Sequence, residues 1–148
     1  MRQIAVAVVM ILANALGLGP ALAPAQASSD KETLFVVVTS PEPQTQGMAM
    51  VLSIQAVRQG AEVEMLLCGP GGDLALKDAP QTVLKPRGAT PQGMLMQLIE
   101  MGVQPQVCAL YLPNSGKTAA DLIAGVGVAK PPAIAAGLLK DDTRLFTF

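Results

Sequence analysis

Five apolar residues in succession, Leu34-Phe35-Val36-Val37-Val38, open the patterned part of the chain with no polar alternation. Such a run predicts a strand buried on both faces, the habit of parallel sheets. Pro41-Glu42-Pro43 turns the chain, and residues 44–59 read as a helix, with Gly60 where a helix-terminating glycine belongs. Residues 63–67 predict a second strand, closed by Cys68-Gly69-Pro70-Gly71-Gly72. An irregular stretch, 73–89, follows, with one helical turn predicted near 74–76. Thr90-Pro91 then supplies an N-cap and first-turn pair for a helix carrying Met94, Leu95, Leu98, Ile99 and Met101, which Gly102 stops. Residues 106–110 predict a third strand containing Cys108, 117–124 a helix, 125–128 a fourth strand, 132–139 a last helix and 144–148 a closing strand.

Strands alternating with helices through short glycine-marked turns predict an α/β fold. The expected form is flavodoxin-like and doubly wound, a mostly parallel five-stranded sheet with helices on both faces. The first three strands are expected in the order 2-1-3. That order separates the ends of the second and third strands by about 9–10 Å, beyond the roughly 7 Å a disulfide tolerates between Cα atoms. Cys68 and Cys108 are therefore expected as two unpaired thiols, with Cys68 the structural one. On the first helix Met50, Ile54 and Val57 share one face while Met48 and Leu52 lie on another. That surplus of apolar surface is either covered by loops or marks a subunit contact.

The residues ahead of the first strand have a different character. Met1-Arg2-Gln3 is a short basic start, Ile4 to Leu18 is apolar except for Asn14 and Gly17, and Ala25-Gln26-Ala27 is a small-x-small site. This order predicts a signal peptide over 1–27, cleaved before Ser28, and a domain over 28–148. The apolar run is too short, and too soon broken by Gly19 and Pro20, for a comfortable membrane span. The expectation is a periplasmic or secreted protein with no membrane attachment after cleavage.

Composition narrows the chemistry. With 51% apolar residues but no Trp, one Tyr and three Phe, the core must be aliphatic and rich in methionine. A net charge of -1, from 10 basic and 11 acidic side chains, offers no basic stripe for nucleic acid. The chain has no histidine, which removes Ser-His-Asp and Cys-His catalysis and most catalytic zinc sites. Two cysteines cannot close a zinc site alone, so neither a metal nor a cofactor is expected.

Ser115-Gly116-Lys117-Thr118 has the look of a phosphate loop's end, but that motif needs a glycine at position 111, where Tyr111 stands. A turn leading into a helix is the better reading. Gly69-Pro70-Gly71-Gly72 lacks the spacing of a dinucleotide loop and reads as a flexible loop at the sheet's carboxyl edge. Asp73, Asp78 and Asp121 are scattered rather than paired for acid–base work. Cys108 is the catalytic candidate. It falls at the carboxyl end of a strand read as central, where open α/β sheets place their sites. A nearby helix N-terminus, or Lys117, would favour its thiolate. Position alone leaves open that Cys108 is a small core residue.

In order and spacing the mature chain resembles the DsrE/DsrF-like family of small α/β proteins associated with sulfur relay. The resemblance runs from Leu34-Phe35-Val36-Val37-Val38-Thr39-Ser40 through Ala56-Val57-Arg58-Gln59-Gly60-Ala61-Glu62-Val63 to Leu98-Ile99-Glu100-Met101-Gly102-Val103 and Val107-Cys108. It continues in Ala120-Asp121-Leu122-Ile123-Ala124-Gly125-Val126, Leu138-Leu139 and the closing 141–148. The resemblance implies a homo-oligomer, often a trimer or hexamer. It also implies that a cysteine at the position of Cys108 takes up sulfur as a persulfide, with a sulfur donor or acceptor protein as partner. The leader is a departure, since the familiar sulfur-relay members are cytoplasmic. Two functional readings stand: sulfur or thiol chemistry on Cys108, and a non-catalytic homo-oligomeric module binding a small ligand.

Overall fold

The computed structural model describes residues 31–148, so the predicted leader and its cleavage site lie outside the described residues. The elements run β1 (Thr33–Val38), α1 (Pro43–Arg58), β2 (Glu62–Leu67), a 3-10 segment (Gly69–Ala75), α2 (Pro91–Glu100) and β3 (Gln106–Val107). After these come α3 (Tyr111–Ser115), a 3-10 turn (Ala119–Asp121), β4 (Gly127–Val128), α4 (Pro131–Leu138) and β5 (Thr143–Thr147). All strand pairs are parallel and form one five-stranded sheet. The predicted α/β class and flavodoxin-like layering are what the structure has.

The strand order is β4-β3-β2-β1-β5, which corrects the expected 2-1-3 arrangement: β2 is the central strand and lies between β1 and β3. The chain therefore steps in one direction from β1 to β4 and then returns past all of them to pair β5 with β1. Right-handed crossovers dictate the layers that result. α1 and α2 pack with each other on one face, over Val36, Val38, Met65, Leu67 and Val107. The return crossover places α4 on the other face, where Ile134 packs against Phe35, Leu66 and Ala129.

The core is aliphatic as composition requires. Phe35, Met50, Met65, Leu67, Leu95 and Leu98 are fully buried, each stabilising the fold by about 1.5–3 kcal/mol relative to exposure. Thr90 caps α2, its Oγ1 accepting from the Gly93 N–H at 3.0 Å. Three predicted elements shorten, the fourth strand to Gly127–Val128 among them. The strand expected over 106–110 stops at Val107, because the Tyr111 N–H donates to the Cys108 carbonyl and turns the chain into α3. The helix expected over 117–124 is only the turn Ala119–Asp121, fixed by a reciprocal Thr118–Asp121 capping box. Among the described residues no helix is long and apolar enough to cross a membrane.

Candidate functional site

All five strands being parallel, their carboxyl ends share one edge of the sheet, and both cysteines lie on it. β3 leaves this edge toward the face of α1 and α2, β4 leaves it toward α4, and the two strands are neighbours. The crevice between oppositely departing connections is where open α/β sheets bind ligands. Cys108 stands there, immediately after β3. The corrected strand order moves this crevice from beside β1 to beside β4, yet the end of β3 borders it in both arrangements. β3 itself is second from the edge rather than central.

The backbone around Cys108 is pinned on both sides. Its N–H donates to the Leu67 carbonyl at 2.8 Å, and its own carbonyl accepts from Tyr111 at 2.9 Å. The side chain is half-buried and touches the larger core cluster. Leu110, two residues on, is 70% exposed.

Cys68 is placed by the next strand over. Its N–H donates to the Val38 carbonyl at 2.9 Å, and its carbonyl accepts from Gly71 at 3.0 Å. It is half-buried against the Phe35–Leu66–Ala129 cluster beneath α4. Because Leu67 is in register with Val107, the next residues in register are Cys68 and Cys108. The expected 9–10 Å separation is thus corrected. The third strand lies against the second, and the two free cysteines sit at the ends of adjacent strands. Burial first, and then hydrogen bonding and charge from Cys108, push the Cys68 thiol up to about 12.

Lys117, expected to serve Cys108, instead forms an ion pair with Asp78 at 3.4 Å. The helix beginning near Cys108 is α3, only five residues long. Asp73 accepts a hydrogen bond from the Tyr111 hydroxyl, and burial followed by that contact raises the Tyr111 pKa. Asp121, third of the scattered carboxylates, caps its own turn. The phosphate-loop look of 115–118 resolves into Gly116, left-handed at φ +66°, ending α3, and Thr118 opening the next turn.

Gly69-Pro70-Gly71-Gly72 is not the flexible loop expected. It forms a 3-10 segment with Gly71 and Gly72 buried against the end of β1 and the Tyr111 ring. Beside it lies a cavity of about 230 Å³ lined by Pro41, Gln46, Pro70, Asp73, Gln81 and Pro91, with neither cysteine in its wall. Gln92, unremarked in the sequence, is buried and donates through Nε2 to the Leu74 and Leu76 carbonyls at 2.9 and 2.7 Å, tying α2 to this segment.

Neither a family model nor a curated protein sequence matches the chain. Solved structures do. The ychN protein from E. coli is similar over 80% of this chain and 99% of its own, with a TM-score of 0.65 and 20% identity. The protein of unknown function MTH1491 from Methanobacterium thermoautotrophicum is similar over 80% of this chain and 100% of its own, with a TM-score of 0.60 and 16% identity. Both likenesses establish the DsrE-like fold across residues of the described domain, and the fold alone.

Proposed function

We propose that this chain is an exported DsrE-like protein that handles sulfur or thiol chemistry through a persulfide on Cys108. The observation that carries the proposal is the placement of a half-buried free thiol at the edge crevice of this sheet, on a backbone fixed by bonds to Leu67 and Tyr111. A site needs that rigidity, since a sulfur acceptor works only when its thiolate is presented in one place. No histidine exists to act as its base, so the thiol exchanges its proton with solvent or with the incoming sulfur donor. The partners in this reading are a sulfur donor, a sulfur acceptor and further copies of the chain.

A second reading, a non-catalytic homo-oligomeric module binding a small ligand, is favoured by two hollows, a trough of about 610 Å³ between α1 and β5 and the cavity beside the 3-10 segment. At about 230 Å³ the cavity is smaller than the roughly 300–1,000 Å³ of ordinary ligand pockets. Neither hollow contains a thiol, so the two readings separate cleanly.

Intact-mass spectrometry of the protein from its native host tests the first reading, both export and sulfur uptake. The chain should begin at or near Ser28. After treatment with inorganic polysulfide, sulfur should enter at Cys108 and be retained there as one extra sulfur when Cys68 is replaced by alanine, and Cys108→Ser should abolish that entry while the fold is retained. An intact Met1 in a cytoplasmic fraction would refute export. Undiminished sulfur loading in Cys108→Ser would refute the role of Cys108 and leave the binding-module reading.

A further inference from the structure

We infer that Cys68 is the resolving thiol of Cys108: it attacks the Sγ of a Cys108 persulfide, closes a Cys68–Cys108 disulfide and expels the outer sulfur as hydrosulfide. The inference rests on the persulfide reading above and extends it from sulfur uptake to sulfur release.

The geometry is that of adjacent parallel strands. β2 and β3 are paired through Leu67 and Val107, and the bond from the Cys108 N–H to the Leu67 carbonyl carries the ladder one residue further. Neighbouring strands lie about 4.7–4.9 Å apart. Cα atoms at that spacing fall within the roughly 4.4–6.8 Å a disulfide accepts. The backbone spacing therefore admits a Cys68–Cys108 disulfide once the two side chains turn toward each other at the strand ends.

The surroundings divide the work between the thiols. Cys68 sits in the apolar cluster under α4 with its proton held, so it is the poorer first nucleophile toward a donor from solution. Cys108 stands at the mouth of the crevice and takes the sulfur first. The attack is then intramolecular, so a weak nucleophile suffices.

Atoms and electrons balance in one step. A Cys108 persulfide anion and a Cys68 thiol give the Cys68–Cys108 disulfide and hydrosulfide. The Sγ–Sγ bond forms as the Cys108 Sγ–sulfur bond breaks. The outer sulfur takes the bond's electron pair and the Cys68 proton, and it is reduced by two electrons while the thiol pair is oxidised by two. Return to the dithiol takes two equivalents of an external thiol, which leave as their own disulfide.

The test compares the native chain, Cys68→Ala and Cys108→Ser after anaerobic treatment with inorganic polysulfide, removal of excess donor and alkylation. Intact mass and peptide mapping give the readout. The native chain should emerge two hydrogens lighter than its dithiol form, unalkylated, with Cys68 linked to Cys108. Cys68→Ala should retain one extra sulfur on Cys108. Cys68→Ser serves as the second variant should the alanine chain misfold. A native chain that keeps a lasting extra sulfur on Cys108 with Cys68 still alkylatable overturns the resolving role alone. Extra sulfur on Cys68 in Cys108→Ser overturns the assigned order. Absence of sulfur on Cys108 in Cys68→Ala, with that chain folded, overturns the persulfide reading itself.

Discussion

At the scale of single residues, the protonated Cys68 thiol links the site to stability. Its ordinary value is 9.0, and burial, helped by Cys108, pushes it up to about 12 in the folded chain. Between those values the unfolded chain has released the proton and the folded chain still holds it. Stability then falls as pH rises, because the unfolded state binds fewer protons. The neutral, half-buried thiol thus contributes its full stabilisation below pH 9.0 and loses it on the way to about 12. Tyr111, raised by burial and by its bond to Asp73, has the same sign. Denaturant midpoints measured under reducing conditions across this window should decline, and Cys68→Ala should flatten the decline. An identical alkaline slope in Cys68→Ala would show that the thiol is not buried as described. The candidacy of Cys108 could be seen in the sequence, from a cysteine at the end of a short apolar strand. Its adjacency to Cys68 could not, because it depends on which strands are neighbours.

Among the elements, the 3-10 segment after β2 is the clearest case of packing that sets sequence. A Cβ on Gly71 would fall inside the van der Waals shell of the Val38 carbonyl oxygen, and one on Gly72 would lie 2.6 Å from the Tyr111 ring. The Val38 carbonyl is backbone and already accepts the Cys68 N–H, so it has no freedom to give way. Gly71→Ala should therefore destabilise the fold by about 1–3 kcal/mol, as overpacking of a filled interior does. It should also speed alkylation of Cys68 by loosening the end of β2. Thermal melts and thiol-reactivity rates check both, and an unshifted melting temperature would refute the close approach. Element existence was legible: each predicted strand and most helices occur, since apolar runs and glycine or Thr-Pro boundaries report local physics. The strand order was not legible. The long β2–β3 connection reaches either flank of the sheet, and only the pairing of β5 with β1 settles which flank is taken. The helix expected over 117–124 failed for a local reason, since Thr118 and Asp121 satisfy each other's backbone within one turn and nothing extends it.

For the whole molecule, the second edge of the sheet decides the last prediction. β5 is an edge strand, and its Leu145 and Phe146 are 55% and 46% exposed. Among the described residues no helix covers it on the α1 face, and a trough of about 610 Å³ runs between α1 and β5, walled by Leu34, Leu52, Ala56, Phe146 and Phe148. Met48 and Leu52, the surplus apolar residues of α1, remain 52% and 43% exposed, so the loops do not cover them. A small chain that leaves an apolar trough beside an unpaired strand edge has a surface suited to another copy of itself. The proposed assembly is a closed homo-oligomer, a trimer or hexamer, in which the α1–β5 trough is filled by a neighbour. A stable contact buries about 800 Å² on each partner, more than the trough's walls supply. Met48 and Val51 around its margin must therefore take part. Light scattering on the processed protein at micromolar concentration should give a mass several times that of one chain. Leu52→Lys should lower that mass to a single chain without loss of secondary structure, since the position is exposed within the monomer and a lysine there costs nothing until a second copy covers it. A native chain that scatters as a monomer would refute the assembly. A Leu52→Lys chain that keeps the full mass would move the interface away from α1.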